Sequence, residues 1–188
     1  MAIRESPPEA AGMARWRQVA LTIMACLAMM AMAAVWLAPH AAAAPARAAT
    51  LAQPVDLRQE AALIQRWGQP LVILFSMPDC SYCVEVRNNY LGPMAAATGL
   101  SPGPVVREID MTSRKSIRGF SGEVVTLADF ARRYGIKVSP SVVMLGPDGE
   151  LLTEPLVGSG MAGFYGAYLE RALDTATRAL RTDRKSGS

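Results

Sequence analysis

The run Leu71-Val72-Ile73-Leu74-Phe75-Ser76-Met77-Pro78-Asp79-Cys80-Ser81-Tyr82-Cys83 decides how this chain is read. Leu71 to Phe75 is continuously apolar and of strand length, the pattern of a strand buried on both faces. Ser76, Met77, Pro78 and Asp79 then turn the chain, and a helix can start at the cysteines. That helix carries Val84, Val86 and Tyr90, with a kink or break expected before Pro93.

Elements alternate outward from this centre. On the N-terminal side, Asp56 can cap a helix through Trp67 that carries Leu57, Ala61, Leu63 and Ile64 and ends at Gly68 and Pro70. On the other side, Gly99 to Pro104 is a turn-rich linker and Val105 to Ile109 a second strand. Residues Thr112 to Glu123 are polar, with Gly119 and Gly122, and read as a surface loop or short helix. Thr126 can cap a helix with Leu127, Phe130 and Tyr134, closed by Gly135. Val142 to Leu145 is a third strand. Pro147-Asp148-Gly149 turns the chain into a fourth strand near Leu151 to Val157. A last helix is expected from about Ala162 to Leu180, with Phe164, Tyr165, Tyr168, Leu169, Leu173 and Ala176 on its apolar face. Residues 182–188 read as a disordered polar tail. Strands alternating with helices make this an α/β chain, with helices covering a central sheet. The Asp-Gly turn makes the last two strands antiparallel, so the sheet is mixed.

Composition narrows the chemistry. The chain has 188 residues and a formal charge of +3. From Arg47 onward, 16 Lys/Arg face 14 Asp/Glu, interspersed, which provides no basic stripe for nucleic acid. The single histidine, His40, precedes the folded part, which removes Ser–His–Asp and Cys–His catalysis from the domain. Before it, Arg4, Arg15 and Arg17 lead into an apolar run from Val19 to Ala38, followed by the small residues Ala41 to Ala46. This is the layout of a secretory signal with Ala-x-Ala sites; an uncleaved membrane anchor is the alternative. Residues 1–46 are therefore expected to direct export, and Cys26 reads as a small apolar residue within them. Export places the rest in an oxidising compartment, the bacterial periplasm.

Cys80 and Cys83 remain. At this spacing on a helix start, two sulfurs reach one another in disulfide geometry. The helix N-terminus favours a thiolate at Cys80, while Cys83, one turn in, is expected to be buried. Cys80 can then attack a disulfide as nucleophile, and Cys83 can resolve the mixed disulfide. Haem attachment needs a histidine where Val84 stands. Zinc or an iron–sulfur cluster needs ligands beyond these two sulfurs. A structural staple is the remaining alternative, although a disulfide closing so short a loop stabilises little.

The strand, turn and Cys-x-x-Cys unit, together with Tyr134-Gly135-Ile136-Lys137-Val138-Ser139-Pro140-Ser141-Val142-Val143, resemble the thioredoxin superfamily. The resemblance spans roughly Leu57 to Leu180 and implies a thioredoxin-like domain over residues 50–181. Within that superfamily the chain looks most similar to bacterial periplasmic proteins of the SoxW kind. The resemblance implies a cis Ser139–Pro140 bond facing the cysteines, with the Ser139 backbone open to an extended substrate segment. Ser81 and Tyr82 are candidate substrate contacts, and aromatic packing is the alternative for Tyr82. The chain departs from ordinary thioredoxin at Asp79, where the family has tryptophan, and at Leu74, where it has a buried carboxylate. A carboxylate at Asp79 disfavours a thiolate beside it.

The expected activity is dithiol–disulfide exchange on exported proteins, without a cofactor, fed by a membrane-bound electron donor and running more as reductant than oxidant. A disulfide-introducing oxidant and a peptide-binding module without turnover are the alternatives.

Overall fold

The computed structural model describes Met24 and residues 49–98, 102–158 and 163–186. Apart from Met24, residues 1–46 (the expected leader, with Cys26 and His40), part of the linker at 99–101, the expected start of the last helix at Ala162, and residues 187–188 lie outside the described residues. From Ala48 on, the order is α1 (Leu57–Trp67), β1 (Leu71–Ser76), α2 (Ser81–Val86), a π-helical segment (Arg87–Leu91) and α3 (Gly92–Thr98). There follow β2 (Val105–Asp110), β3 (Ser116–Arg118), β4 (Val124–Thr126), α4 (Leu127–Arg133), β5 (Ser141–Leu145), β6 (Leu156–Val157) and α5 (Tyr165–Ser186).

Four strands form one sheet in the order β2-β1-β5-β6. β1 runs parallel to β2, with Leu71 opposite Val105 and Phe75 opposite Ile109, and antiparallel to β5, with Ile73 opposite Val143. β6 is antiparallel to β5, so the sheet is mixed as expected. All six residues of β1 are buried, which explains the unbroken apolar run. Successive side chains point to opposite faces. Leu71, Ile73 and Phe75 join Leu57 and Ile64 of α1 and Leu127, Phe130 and Ala131 of α4. Val72 and Leu74 join Val86, Leu91, and Tyr165, Leu169 and Ala176 of α5. Each large aliphatic or aromatic side chain buried this way contributes about 1.5–3 kcal/mol.

The helix starts follow from their caps. The Asp56 carboxylate accepts the Arg58 N–H, and the neighbouring Arg58 guanidinium holds that carboxyl at about 2. Thr126 Oγ1 accepts the Asp129 N–H at 3.1 Å, opening α4. Gly149 takes φ 82°, and a Cβ there would stand 2.6 Å from the Phe120 ring, so the Asp-Gly turn requires glycine on both counts.

Five expectations need correction. Residues 112–123 are not simply a loop or short helix: Ser116–Arg118 pairs with Val124–Thr126 as a hairpin. Three-residue strands are too short to show a period. This hairpin is held by Ile117 and Val125 entering the core and by the Arg118 N–H donating to Val55 O. The fourth strand is cut to Leu156–Val157, with only an isolated bridge at Leu151. The last helix continues past Leu180 to Ser186, taking in residues 182–186 of the expected tail. The polar Arg184 is anchored there to Gln65 O at 2.8 Å, a contact no apolar periodicity signals. Phe164 precedes α5 and is 68% exposed, and Tyr168 is 38% exposed; Tyr165 and Leu169 carry the buried face. Before Pro93 the helix does not break. A π turn at Arg87–Leu91 carries the chain into α3, so the α pattern gives way just before the proline, which has no N–H to lend it.

Burial raises the Tyr134 hydroxyl to about 12, while it donates to Gly149 O at 2.7 Å. A tyrosine raised in the folded state contributes stability that is complete below the unfolded value of 10 and lost as pH rises towards 12. Tyr134→Phe is expected to shallow the loss of stability between about pH 10 and 12, as read by urea midpoints at stepped pH. An unchanged alkaline slope would place the effect elsewhere.

Candidate active site

β1 ends at Ser76, and the four exposed or half-buried residues Met77 to Cys80 bring the chain to α2. Asp79 occupies the left-handed region at φ 57°, which Asp tolerates better than most side chains, and it is exposed. Cys80 is the cap of α2 rather than its first residue. Its backbone is extended (φ −87°, ψ 97°), and its Sγ accepts the Cys83 N–H at 3.1 Å. Cys80 and Cys83 form a disulfide with Cα atoms 5.2 Å apart. The two ends differ in access: Cys80 is half-buried, while Cys83, within α2, is fully buried. A backbone N–H already aimed at the Cys80 sulfur favours negative charge on that atom once the bond opens.

The second wall comes from the far end of β5. Ser141 pairs opposite Phe75, so the residues before β5 arrive beside the turn after β1. The Ser139–Pro140 peptide is cis. Pro140 is buried, and its carbonyl accepts the Gly158 N–H at 2.7 Å, while Ser141 Oγ donates to Val138 O at 2.8 Å. These bonds fix the loop so that Ser139 Oγ donates to Cys80 Sγ at 3.7 Å, across 59 residues of sequence.

Of the expected site residues, Cys80, Cys83, Ser139 and Pro140 are thus brought together. Ser81 and Tyr82 are exposed on the first turn of α2, Tyr82 at 62%, so its ring is not packed into the core. Sequence reasoning chose Ser139 for its backbone and missed that its hydroxyl reaches the sulfur. It also passed over Met77 and Val138, exposed apolar residues flanking the turn and the cis-proline loop. The usable signal was their position beside motifs already recognised. Leu74 is fully buried under α2, with no proton to exchange.

Removing the Ser139 hydroxyl withdraws a donor from the Cys80 sulfur, which weakens the thiolate against the disulfide. Ser139→Ala is expected to lower the reduction potential by about 10–20 mV, as a weak hydrogen bond of 0.5–1 kcal/mol would. Redox titration against dithiothreitol reads this directly, and a rise instead of a fall would show that the hydroxyl does not stabilise the thiolate.

This arrangement can exchange a dithiol for a disulfide: an accessible sulfur with donors aimed at it, bonded to a protected one. A comparison with curated protein sequences gives no match. Among solved structures, the chain is similar to a thioredoxin-fold protein from Helicobacter pylori at 14% identity and a TM-score of 0.45, covering 61% of this chain and 81% of that one. It is similar to oxidised mitochondrial thioredoxin 3 from Saccharomyces cerevisiae at 18% identity and a TM-score of 0.43, covering 66% and 93%. A thioredoxin from Nicotiana alata is similar at 15% identity and a TM-score of 0.42, covering 66% and 96%. Residues 57–165, more than half of the chain, match the family described as the thioredoxin-like domain, and the chain belongs to that family.

Proposed function

We propose that this protein is a periplasmic thiol–disulfide oxidoreductase that reduces or reshuffles disulfides in exported proteins. The observation that carries the reading is the asymmetric pair: a half-buried Cys80, faced by the Ser139 hydroxyl and the Cys83 N–H, joined to a fully buried Cys83. Cys80 is the nucleophile and Cys83 the resolving thiol. The cis-proline loop at Ser139 and Pro140 and the exposed Ser81 and Tyr82 receive the substrate segment. The leader carries the export, and a membrane-bound donor of electrons returns the pair to the dithiol, in the manner of a SoxW-like protein. The reducing direction rests on electrostatics. Asp79 stands beside the nucleophile and the domain holds no histidine to offset it, which leaves the thiolate less stabilised than a strong oxidant requires.

The test is the reduction potential of the pair. A value below roughly −220 mV supports the reductant, and one above about −150 mV supports an oxidant instead. If Cys80 and Cys83 form no reversible disulfide, the enzymatic reading fails and a peptide-binding module replaces it. Cell fractionation with N-terminal sequencing tests the address; a cytoplasmic chain with an intact N-terminus would overturn it.

A further inference from the structure

A charged pair lies where the active-site helix meets the edge of the sheet, and the exchange chemistry above makes no use of it. Arg87 follows Cys83 by four residues, one helical turn. Its N–H donates to the carbonyls of Cys83 and Val84, and its own carbonyl accepts the Gly92 N–H, which opens the π turn. Its guanidinium reaches across to Glu108 of β2 with two parallel hydrogen bonds, Nε to Oε2 at 2.7 Å and Nη2 to Oε1 at 2.5 Å. Both side chains are mostly withdrawn from water, at 20% and 15% exposure. Glu108 stands in register opposite Leu74, on the face of the sheet that Val86 and Leu91 cover.

A surface ion pair of long side chains contributes little to stability, and a partly buried one must overcome the desolvation of both charges. What a forked pair does supply is geometry, because the planar guanidinium fixes two bonds at once. This fork is tied to the one residue whose backbone joins Cys83 to the π turn. Apolar packing by Val86 and Leu91 seats the helix on the sheet, and the fork adds a directional tie at the residue one turn after Cys83.

We propose that Arg87 and Glu108 are the positioning pair of Cys83, holding its sulfur in reach of Cys80 during the second half of exchange. The inference rests on the oxidoreductase reading. In the first step, Cys80 thiolate attacks a substrate disulfide: a Cys80–substrate bond forms, the substrate bond breaks, and one substrate sulfur leaves as thiolate. In the second, Cys83 thiolate attacks Cys80 Sγ, the Cys80–Cys83 bond forms, and the other substrate sulfur leaves. Two electrons pass to the substrate, and its two thiolates take up the protons that the cysteines give. Only the second step uses the Cys83 sulfur; the Cys83 N–H that faces Cys80 in the first is held by the cap of α2 itself. The pair is therefore needed for resolution and not for attack.

The probe is 5,5′-dithiobis(2-nitrobenzoic acid) added to the reduced full-length chain carrying Cys26→Ser, which leaves Cys80 and Cys83 as its thiols, with release of the coloured thiolate followed by stopped flow. The first release reports attack by Cys80 and the second reports resolution by Cys83. Arg87→Met and Glu108→Gln are expected to slow the second release by about tenfold or more, as misplacement of reacting groups does, and to leave the first within about twofold. Arg87→Lys keeps the charge and loses the fork, so it should also slow the second release. The swap Arg87→Glu with Glu108→Arg should recover part of it. Circular dichroism and the melting temperature identify variants that fail to fold, and Arg87→Lys, the mildest change, keeps the test open if the others do. Equal slowing of both releases, no slowing in folded variants, or opposite changes in Arg87→Met and Glu108→Gln would each overturn the proposal. Opposite changes would trace to charge on the helix, not to position. Absence of any second release from the parent Cys26→Ser chain would instead sink the oxidoreductase reading itself.

Discussion

Cys80→Ser is expected to reduce disulfide exchange to the uncatalysed rate, while Cys83→Ser leaves attack intact and traps long-lived mixed disulfides at Cys80. The two variants differ because the two sulfurs differ in access. Cys80 is half-buried, with its sulfur facing Ser139 Oγ and the Cys83 N–H, so an incoming disulfide can meet it. Cys83 is wholly buried and can reach only its partner. A serine hydroxyl is not ionised near neutral pH and cannot take the place of a thiolate. The measurement is reduction of a model disulfide protein, with non-reducing gels to display trapped species. Turnover retained in Cys80→Ser, or trapping in Cys80→Ser instead of Cys83→Ser, would reverse the assignment. Because the disulfide closes a short loop, neither change should lower the melting temperature much.

Phe75→Ala is expected to have the largest effect on stability. Phe75 sits at the end of the central strand, fully buried, with its ring centroid 6.3 Å from Phe130 and 6.4 Å from Tyr134. Phe130 and Tyr134 in turn stack edge-on at 5.1 Å. Truncation removes the transfer energy of the ring and leaves a cavity bounded by β1, β5 and α4, which the rigid sheet cannot close. The cost is about 3–5 kcal/mol, a large share of the 5–15 kcal/mol that stabilises an ordinary domain. Urea unfolding should show a lower midpoint with little change in slope. A loss under about 1 kcal/mol would mean that the aromatic trio repacks around the gap. Since Phe75 pairs with Ser141, two residues from Ser139, the variant should also blunt the Ser139 contact with Cys80.

Much of this architecture was legible before any coordinates because its signals are local. Leu71 to Phe75 could only be a strand covered on both faces, and Asp56 and Thr126 are caps whose side chains bond within their own turns. Cys80 and Cys83 lie one helical turn apart, so their bonding needs nothing but a helix start. The failures share the opposite property. The hairpin of Ile117 and Val125 has strands of three residues, and only the core that receives them makes them strands. The last turns of α5 are polar and are held through Arg184 by a carbonyl of α1.

The functional site divides along the same line. Residue type and spacing determined the two sulfurs and their order along the helix, because both follow from chain chemistry within a few residues, while the proline that faces them was implied by the resemblance to the thioredoxin superfamily. Only the tertiary structure decided that the Ser139 hydroxyl meets Cys80, that Tyr82 stays exposed, and that Arg87 forks onto Glu108 beside Leu74. These contacts join residues from about 20 to 60 positions apart, so they depend on the register of β1 against β2 and β5 and on the rotation of the helix above them. Those quantities are set by packing of the whole sheet, and no local pattern in the chain encodes them.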